Sequence, residues 1–65
     1  MTNAARIPTL ERRIADLVQE RQRLRAERAP TAELERNRRE IVARQQDLSE
    51  ALIEQYATGV AFAAA

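Results

Sequence analysis

Large apolar residues recur at helical spacings in two stretches of the chain, and each set follows the steps of three, four or seven residues that mark a heptad seam. The members are Leu10, Ile14, Leu17 and Leu24 in the first half and Leu34, Ile41, Leu48 and Leu52 in the second. One amphipathic helix is predicted in each half. The pattern contains no alternation typical of strands, so the predicted fold class is all-α.

The two sets mirror each other about residues 28–33. Moving outward from this connector, Leu24 meets Leu34 and Leu17 meets Ile41, and the pairing continues to Ile7 at the far end, which meets Leu52. The residue numbers of each pair add to a nearly constant value, as an antiparallel pairing of two helices of equal pitch requires. The sequence therefore predicts an antiparallel two-helix hairpin, similar to a coiled coil.

Helix-start chemistry appears twice, as Pro8-Thr9 and as Pro30-Thr31. Threonine is a good N-cap, and proline is tolerated where a helix begins. Gly59 is placed as a C-terminal stop. The predicted organisation is an N-terminal arm (1–8), a helical hairpin (9–58, with helices at about 9–28 and 31–57) and an apolar, alanine-rich tail (59–65).

The chain is short for a domain that folds alone. It has 65 residues and no cysteine, so no disulfide can staple it. Lone helical hairpins of this size bury few side chains, and self-association is the usual remedy. We expect a homodimer that forms a four-helix bundle, or a hairpin that packs into a larger protein assembly.

The predicted end of the hairpin carries apolar residues that the seam does not use. The second helix outruns the first, and its overhang is predicted at 51–57. The expected partner interface consists of Leu52, Ile53, Tyr56, Val60 and Phe62. Exposed apolar clusters with aromatic residues are typical of interfaces. The alternative is that the N-terminal arm around Met1 and Ile7 covers this cluster.

Two layers of the predicted seam are polar. Arg21 is expected to face Arg38, and Ile14 is expected to face Gln45. Two facing guanidinium groups cannot be buried without partners. Three interpretations stay open: an exposed or carboxylate-neutralised layer, a device that sets the register of the helices, and an anion site gripped by the two arginines.

Arginine supplies all the basic residues, and the net charge is only +1. This bias is typical of a GC-rich bacterial or phage genome. The connector end nevertheless forms a basic cluster, and the alternative function is a nucleic-acid-binding regulator that contacts phosphates. Its candidate contacts are Arg23, Arg25, Arg28, Arg36 and Arg39.

Residues suited to catalysis are scarce. Histidine and cysteine are absent, Ser49 is the single serine, and no metal-ligand spacing occurs. We therefore expect no catalytic residue, cofactor, metal or small-molecule substrate. The absence of a signal peptide or apolar span favours the cytoplasm or a phage particle, with no membrane. The alanine-rich C-terminus could serve as a degradation signal. The leading interpretation is a non-enzymatic protein-interaction or assembly module.

Overall fold

The computed structural model describes residues 3–64, with side chains for residues 5–56. It contains two helices, α1 (Asn3–Ala26) and α2 (Thr31–Ala64), which pack against each other. The described residues form no strand, and the all-α hairpin is confirmed. The molecule measures 54 × 17 × 16 Å, and its long dimension matches the roughly 51 Å that 34 helical residues span at about 1.5 Å each.

The seam between the helices is formed by residues at heptad spacing on each helix. On α2 the seam positions step by three and four residues through Leu34, Asn37, Ile41, Arg44, Leu48 and Ala51. On α1 the seam positions, all buried or half-buried, are Ile7, Leu10, Ile14, Leu17, Arg21 and Leu24. Asn37 and Ala51 are buried, at 5% and 0% exposure. The two seams are joined by hydrogen bonds from Asn37 to the Leu17 carbonyl and from Arg21 to the Leu34 carbonyl.

At three of the predicted seam positions on α2, the residue found in the seam is the neighbour of the one expected. Asn37 takes the place expected for Arg38, Arg44 that expected for Gln45, and Ala51 that expected for Leu52. Arg38 and Gln45 are exposed instead. The physical reason is that seam positions alternate strictly in steps of three and four residues. Where the apolar pattern allowed either of two neighbouring residues, this alternation decides which one lies in the seam.

The connector closes α1 with a Schellman motif. The amide of Ala29 donates to the carbonyl of Leu24 (2.9 Å), and the amide of Arg28 donates to the carbonyl of Arg25 (3.1 Å). Arg28 is left-handed, with φ of 53°. Glycine usually fills this position because it has no Cβ to clash with the backbone. The hairpin turn therefore holds an arginine in a conformation that arginine disfavours.

Replacing this residue should stabilise the hairpin. We expect Arg28→Gly to raise the free energy of unfolding by about 1 kcal/mol, because glycine adopts the left-handed conformation without a steric penalty. Urea unfolding followed by circular dichroism measures the change. Arg25→Gly is the matched control and should destabilise by a similar amount, since Arg25 lies inside α1. An unchanged or lower midpoint for Arg28→Gly would contradict the prediction.

The ends of both helices differ from the sequence prediction. The start of α2 at Thr31 is as expected, but the carbonyl of Pro30 accepts the first helical bonds, so Pro30 is the N-cap. The Thr9 hydroxyl donates to the carbonyl of Ala5 (3.1 Å), as threonine does inside a helix. Pro8 lies within α1 and removes one backbone bond near its start.

The described residues of the predicted arm and tail belong to the two helices and do not form separate segments. Helix α1 begins at Asn3 rather than at about residue 9, and α2 continues through Gly59 to Ala64. Alanine favours helix more than any other residue and flanks both extensions. Ala51, expected at the start of the overhang, is buried, whereas Ile53 and Tyr56 are exposed.

Candidate partner-docking face

The two long sides of the hairpin differ sharply in charge. The side that we name the charged face carries charges at nearly every position, the exceptions being Thr9 and Ala43. Its residues are Arg6, Thr9, Arg13, Asp16, Glu20 and Arg23 on α1 and Glu33, Arg36, Glu40, Ala43, Asp47, Glu50 and Glu54 on α2. Arg13 Nη2 lies 2.5 Å from Glu40 Oε1 and joins the two helices across this side. A dense array of paired, hydrated ions is a poor surface for apolar docking.

The opposite side is the weakly charged face, and it is dominated by apolar and neutral residues. Its members are Pro8, Glu11, Ala15, Val18, Gln22 and Arg25 on α1 and Glu35, Arg38, Val42, Gln45, Ser49, Leu52 and Tyr56 on α2. Each member lies beside the seam, on the same side of the hairpin. Three of its four charged residues lie toward the connector, so the middle of the face is nearly neutral.

The exposed apolar side chains concentrate on the weakly charged face. The large hydrophobic residues exposed within residues 5–56 are Val18, Val42, Ile53 and Tyr56. All but Ile53 belong to this face, and Ile53 lies on the adjoining outer surface of α2. Ile53 and Tyr56 are 65% and 68% exposed. Side chains this open to water are available for contact with a partner.

The residues expected at the partner interface differ in how exposed they are. Leu52 is half-buried on the weakly charged face, and Ile53 and Tyr56 are exposed near it. The side chains of Val60 and Phe62 lie outside the described residues. Ala51 is buried, whereas Ile53 and Tyr56 stay exposed, so the described part of the N-terminal region does not cover these two side chains.

A buried polar network crosses the seam at Arg21. Asn37 Nδ2 donates to the carbonyl of Leu17 (3.0 Å), and Asn37 Oδ1 accepts a long hydrogen bond from Arg21 Nη1 (3.5 Å). The same Arg21 nitrogen donates to the carbonyl of Leu34 (3.3 Å). These three hydrogen bonds all join one helix to the other, so the layer fits one register of the hairpin.

The pair of facing arginines expected from the sequence is not formed. Arg38 is exposed and makes a two-pronged contact with Glu35, at 2.7 and 3.0 Å. Arg39 Nε adds a third contact at 3.4 Å. Hydrogen bonding from Arg38 lowers the pKa of Glu35 to about 2, so this carboxylate stays charged down to acidic pH. The guanidinium groups of Arg21 and Arg38 therefore have different partners: Arg21 bonds to Leu34 and Asn37, and Arg38 bonds to Glu35.

The arginines predicted to contact nucleic acid are spread over different sides of the hairpin. Arg23 pairs with Glu27 (3.0 Å), and Arg39 with Glu35. Arg36 lines a cleft of about 510 Å³ on the charged face that four glutamates also line. Arg25 lies on the weakly charged face and forms no ion pair among residues 5–56. The structure brings no continuous basic surface together from these residues, and nucleic-acid binding stays a prediction.

The evidence for a function of this surface comes from its own residues and not from related proteins. No protein family, curated protein or solved structure matches the chain. Neither helix, over the residues described, has a stretch long and apolar enough to cross a membrane. In the same part of the chain, no group of acidic side chains is arranged to hold a metal ion.

Sequence reasoning missed two features of the site. Asn37 was passed over because a single polar residue in a charged stretch gives no signal until the register is fixed. Val18 and Val42 were passed over because each lies beside a seam residue and reads as part of the same apolar cluster. Aligning the heptad positions of both helices places Val18 and Val42 on the same side of the hairpin.

Proposed function

We propose that this chain is a non-enzymatic assembly module of the cytoplasm that works by helix-to-helix self-association. The weakly charged face and the adjoining end of α2 are its docking surface. The observation that carries the proposal is the division of the hairpin into two sides, with Val18, Val42 and Tyr56 exposed on the side that lacks dense charge.

The small core of the single hairpin supports self-association. Among residues 5–56 the buried apolar side chains are those of Leu17, Leu24 and Ala51. A buried leucine contributes about 1.5–3 kcal/mol, so a core of this size leaves the hairpin marginal. A second layer of helices against the weakly charged face adds the missing burial, as in four-helix bundles.

The dimensions of the hairpin also suit a stable dimer. A long side of 54 by 17 Å has a projected area of about 900 Å². Two copies that cover most of one side bury roughly 1,600 Å² in total, which is the standard size of a specific protein interface. A second copy is therefore large enough to be the partner.

Added charge on the docking surface should prevent association. We expect Val42→Glu combined with Tyr56→Glu to weaken the dimer by about 100-fold or more, because each carboxylate must lose its water on docking. Sedimentation equilibrium of the full chain over a wide concentration range measures the dissociation constant.

The control adds the same charge to the other side. Thr9→Glu combined with Ala43→Glu places two carboxylates on the charged face, at its two neutral positions, and should leave the dissociation constant within a few-fold of the unmodified chain. A monomeric unmodified chain, or equal weakening by both double variants, would overturn the proposal.

A further inference from the structure

A single residue reverses the chain between α1 and α2. Among the described residues Arg28 alone has a positive φ, at 53°. In this left-handed region a Cβ crowds the following carbonyl oxygen, so most residues other than glycine avoid it. The return of α2 along α1 therefore depends on one residue held in an unfavourable conformation.

Pro30 keeps the reversal at this position. Proline disfavours the helical conformation at the residue before it, and Ala29 accordingly lies between the two helices. Proline inside a helix also removes a backbone hydrogen bond and collides with the preceding turn, so α1 and α2 cannot merge across it. The strain is relieved when Arg28 leaves the left-handed region, and this change swings α2 away from α1.

The contacts that hold the hairpin closed lie on the helices and can form equally well between two molecules. Asn37 Nδ2 donates to the carbonyl of Leu17, and Arg13 pairs with Glu40 across the charged face. The backbone hydrogen bonds at the connector run between residues that are close in sequence. The same seam contacts can therefore join α1 of one copy to α2 of another without any change in the helices.

We propose that the connector is a hinge, and that two copies of this chain open at Arg28 and exchange helices, so that α1 of each copy pairs with α2 of the other. The exchange restores the seam contacts of both copies and releases the strain at both hinges. Opening exposes little apolar surface, since Leu17, Leu24 and Ala51 are the apolar side chains buried among residues 5–56. The inference goes beyond the proposed function, because docking through the weakly charged face requires no change at the connector.

The exchanged dimer differs in shape from a dimer of closed hairpins. With the connector extended, α1 and α2 of one chain span roughly 100 Å from end to end. Two closed hairpins docked side by side stay close to the 54 Å length of one hairpin. Reversal of the exchange must also unpair both seams, so the exchanged dimer should persist after dilution. Length and persistence therefore distinguish the two modes of association.

Small-angle X-ray scattering of the full chain tests the hinge. The chain is unfolded in urea and refolded at high concentration, which favours the two-chain form. Size exclusion then separates the dimer. We expect a maximum dimension of roughly 100 Å for this dimer, because its two units lie end to end.

Substitutions at the hinge should change the amount of this dimer in opposite directions. Arg28→Gly should lower its fraction at least about ten-fold, because glycine removes the strain of the closed form. Arg28→Val removes the same charge but is β-branched and fits the left-handed region poorly, so it should raise the fraction. Arg25→Val is the control inside α1 and should leave the fraction within a few-fold of the unmodified chain.

The outcomes separate the hinge from docking of closed hairpins. A maximum dimension close to 54 Å for every dimer overturns the exchange and leaves the proposed docking in place. Equal dimer fractions for Arg28→Gly and Arg28→Val overturn it as well, and so does a chain that stays monomeric after refolding. A dimer of roughly 100 Å that survives Val42→Glu combined with Tyr56→Glu supports the exchange and shows that it does not depend on the docking surface.

Discussion

Leu17→Ala is expected to lower the free energy of unfolding by about 2–5 kcal/mol, because Leu17 is the largest fully buried side chain among the described residues and is only 1% exposed. Truncation removes its transfer free energy and leaves a cavity between the helices. A chain of 65 residues has a total stability of roughly 3–10 kcal/mol. The single substitution therefore takes away much of the stability, and a large part of the population should be unfolded at 37 °C.

Urea unfolding followed by far-ultraviolet circular dichroism tests this expectation. The midpoint should fall while the slope stays constant, which shows a change in stability and not in the kind of transition. Gln19→Ala is the matched control, since Gln19 is exposed on the same helix two residues away, and it should change stability by less than about 0.5 kcal/mol. Equal midpoints for the two variants would show that Leu17 is not at the centre of the core.

Asn37→Ala is expected to destabilise the hairpin by about 1–3 kcal/mol. The substitution removes the donor to the Leu17 carbonyl and the acceptor for Arg21, and it leaves the half-buried guanidinium with the Leu34 carbonyl alone. An unsatisfied group in a shielded layer loses its hydration without compensation. Gln45→Ala is the control, because Gln45 is exposed beside the seam and should change stability little.

Asn37→Leu should give the opposite result in stability and a loss in uniqueness. Leucine fits among the apolar neighbours Leu17, Leu24 and Leu34, so the midpoint should recover to that of the unmodified chain or exceed it. Without the polar layer, neighbouring registers become closer in energy. The amide ¹H–¹⁵N spectrum should then show extra or broadened peaks. A sharp single set of peaks for Asn37→Leu would show that Asn37 does not set the register.

The antiparallel hairpin could be predicted from the sequence because its evidence is repeated along the chain. Leu24 with Leu34 and Leu17 with Ile41 give the fold and nearly the register, and the Pro30-Thr31 step gives the start of α2. The apolar pattern could not decide whether Asn37 or Arg38 lies in the seam, because both residues are polar. A one-residue shift on a helix turns a side chain by about 100°, so the two alternatives place different side chains between the helices. Burial and hydrogen bonding decide it.

The ends of the helices were less predictable for a different reason. Proline and threonine at positions 8 and 9 are start signals, yet α1 begins at Asn3 and passes through both. The preceding alanines favour helix, and Pro8 costs only one backbone hydrogen bond near the start. Ile53 and Tyr56 are exposed, as expected for the proposed docking surface, whereas the common side of Val18 and Val42 is found only when the heptad positions of both helices are aligned.

The charged face has a consequence for how far assembly by this chain can proceed. A hairpin with apolar residues on both long sides would offer each newcomer another place to attach, and stacks would lengthen without limit. In the proposed dimer one side is occupied by pairing, and the outward side presents ions such as Arg13 and Glu40 that hold their water tightly. We therefore expect growth to end at a closed particle of defined size instead of a filament.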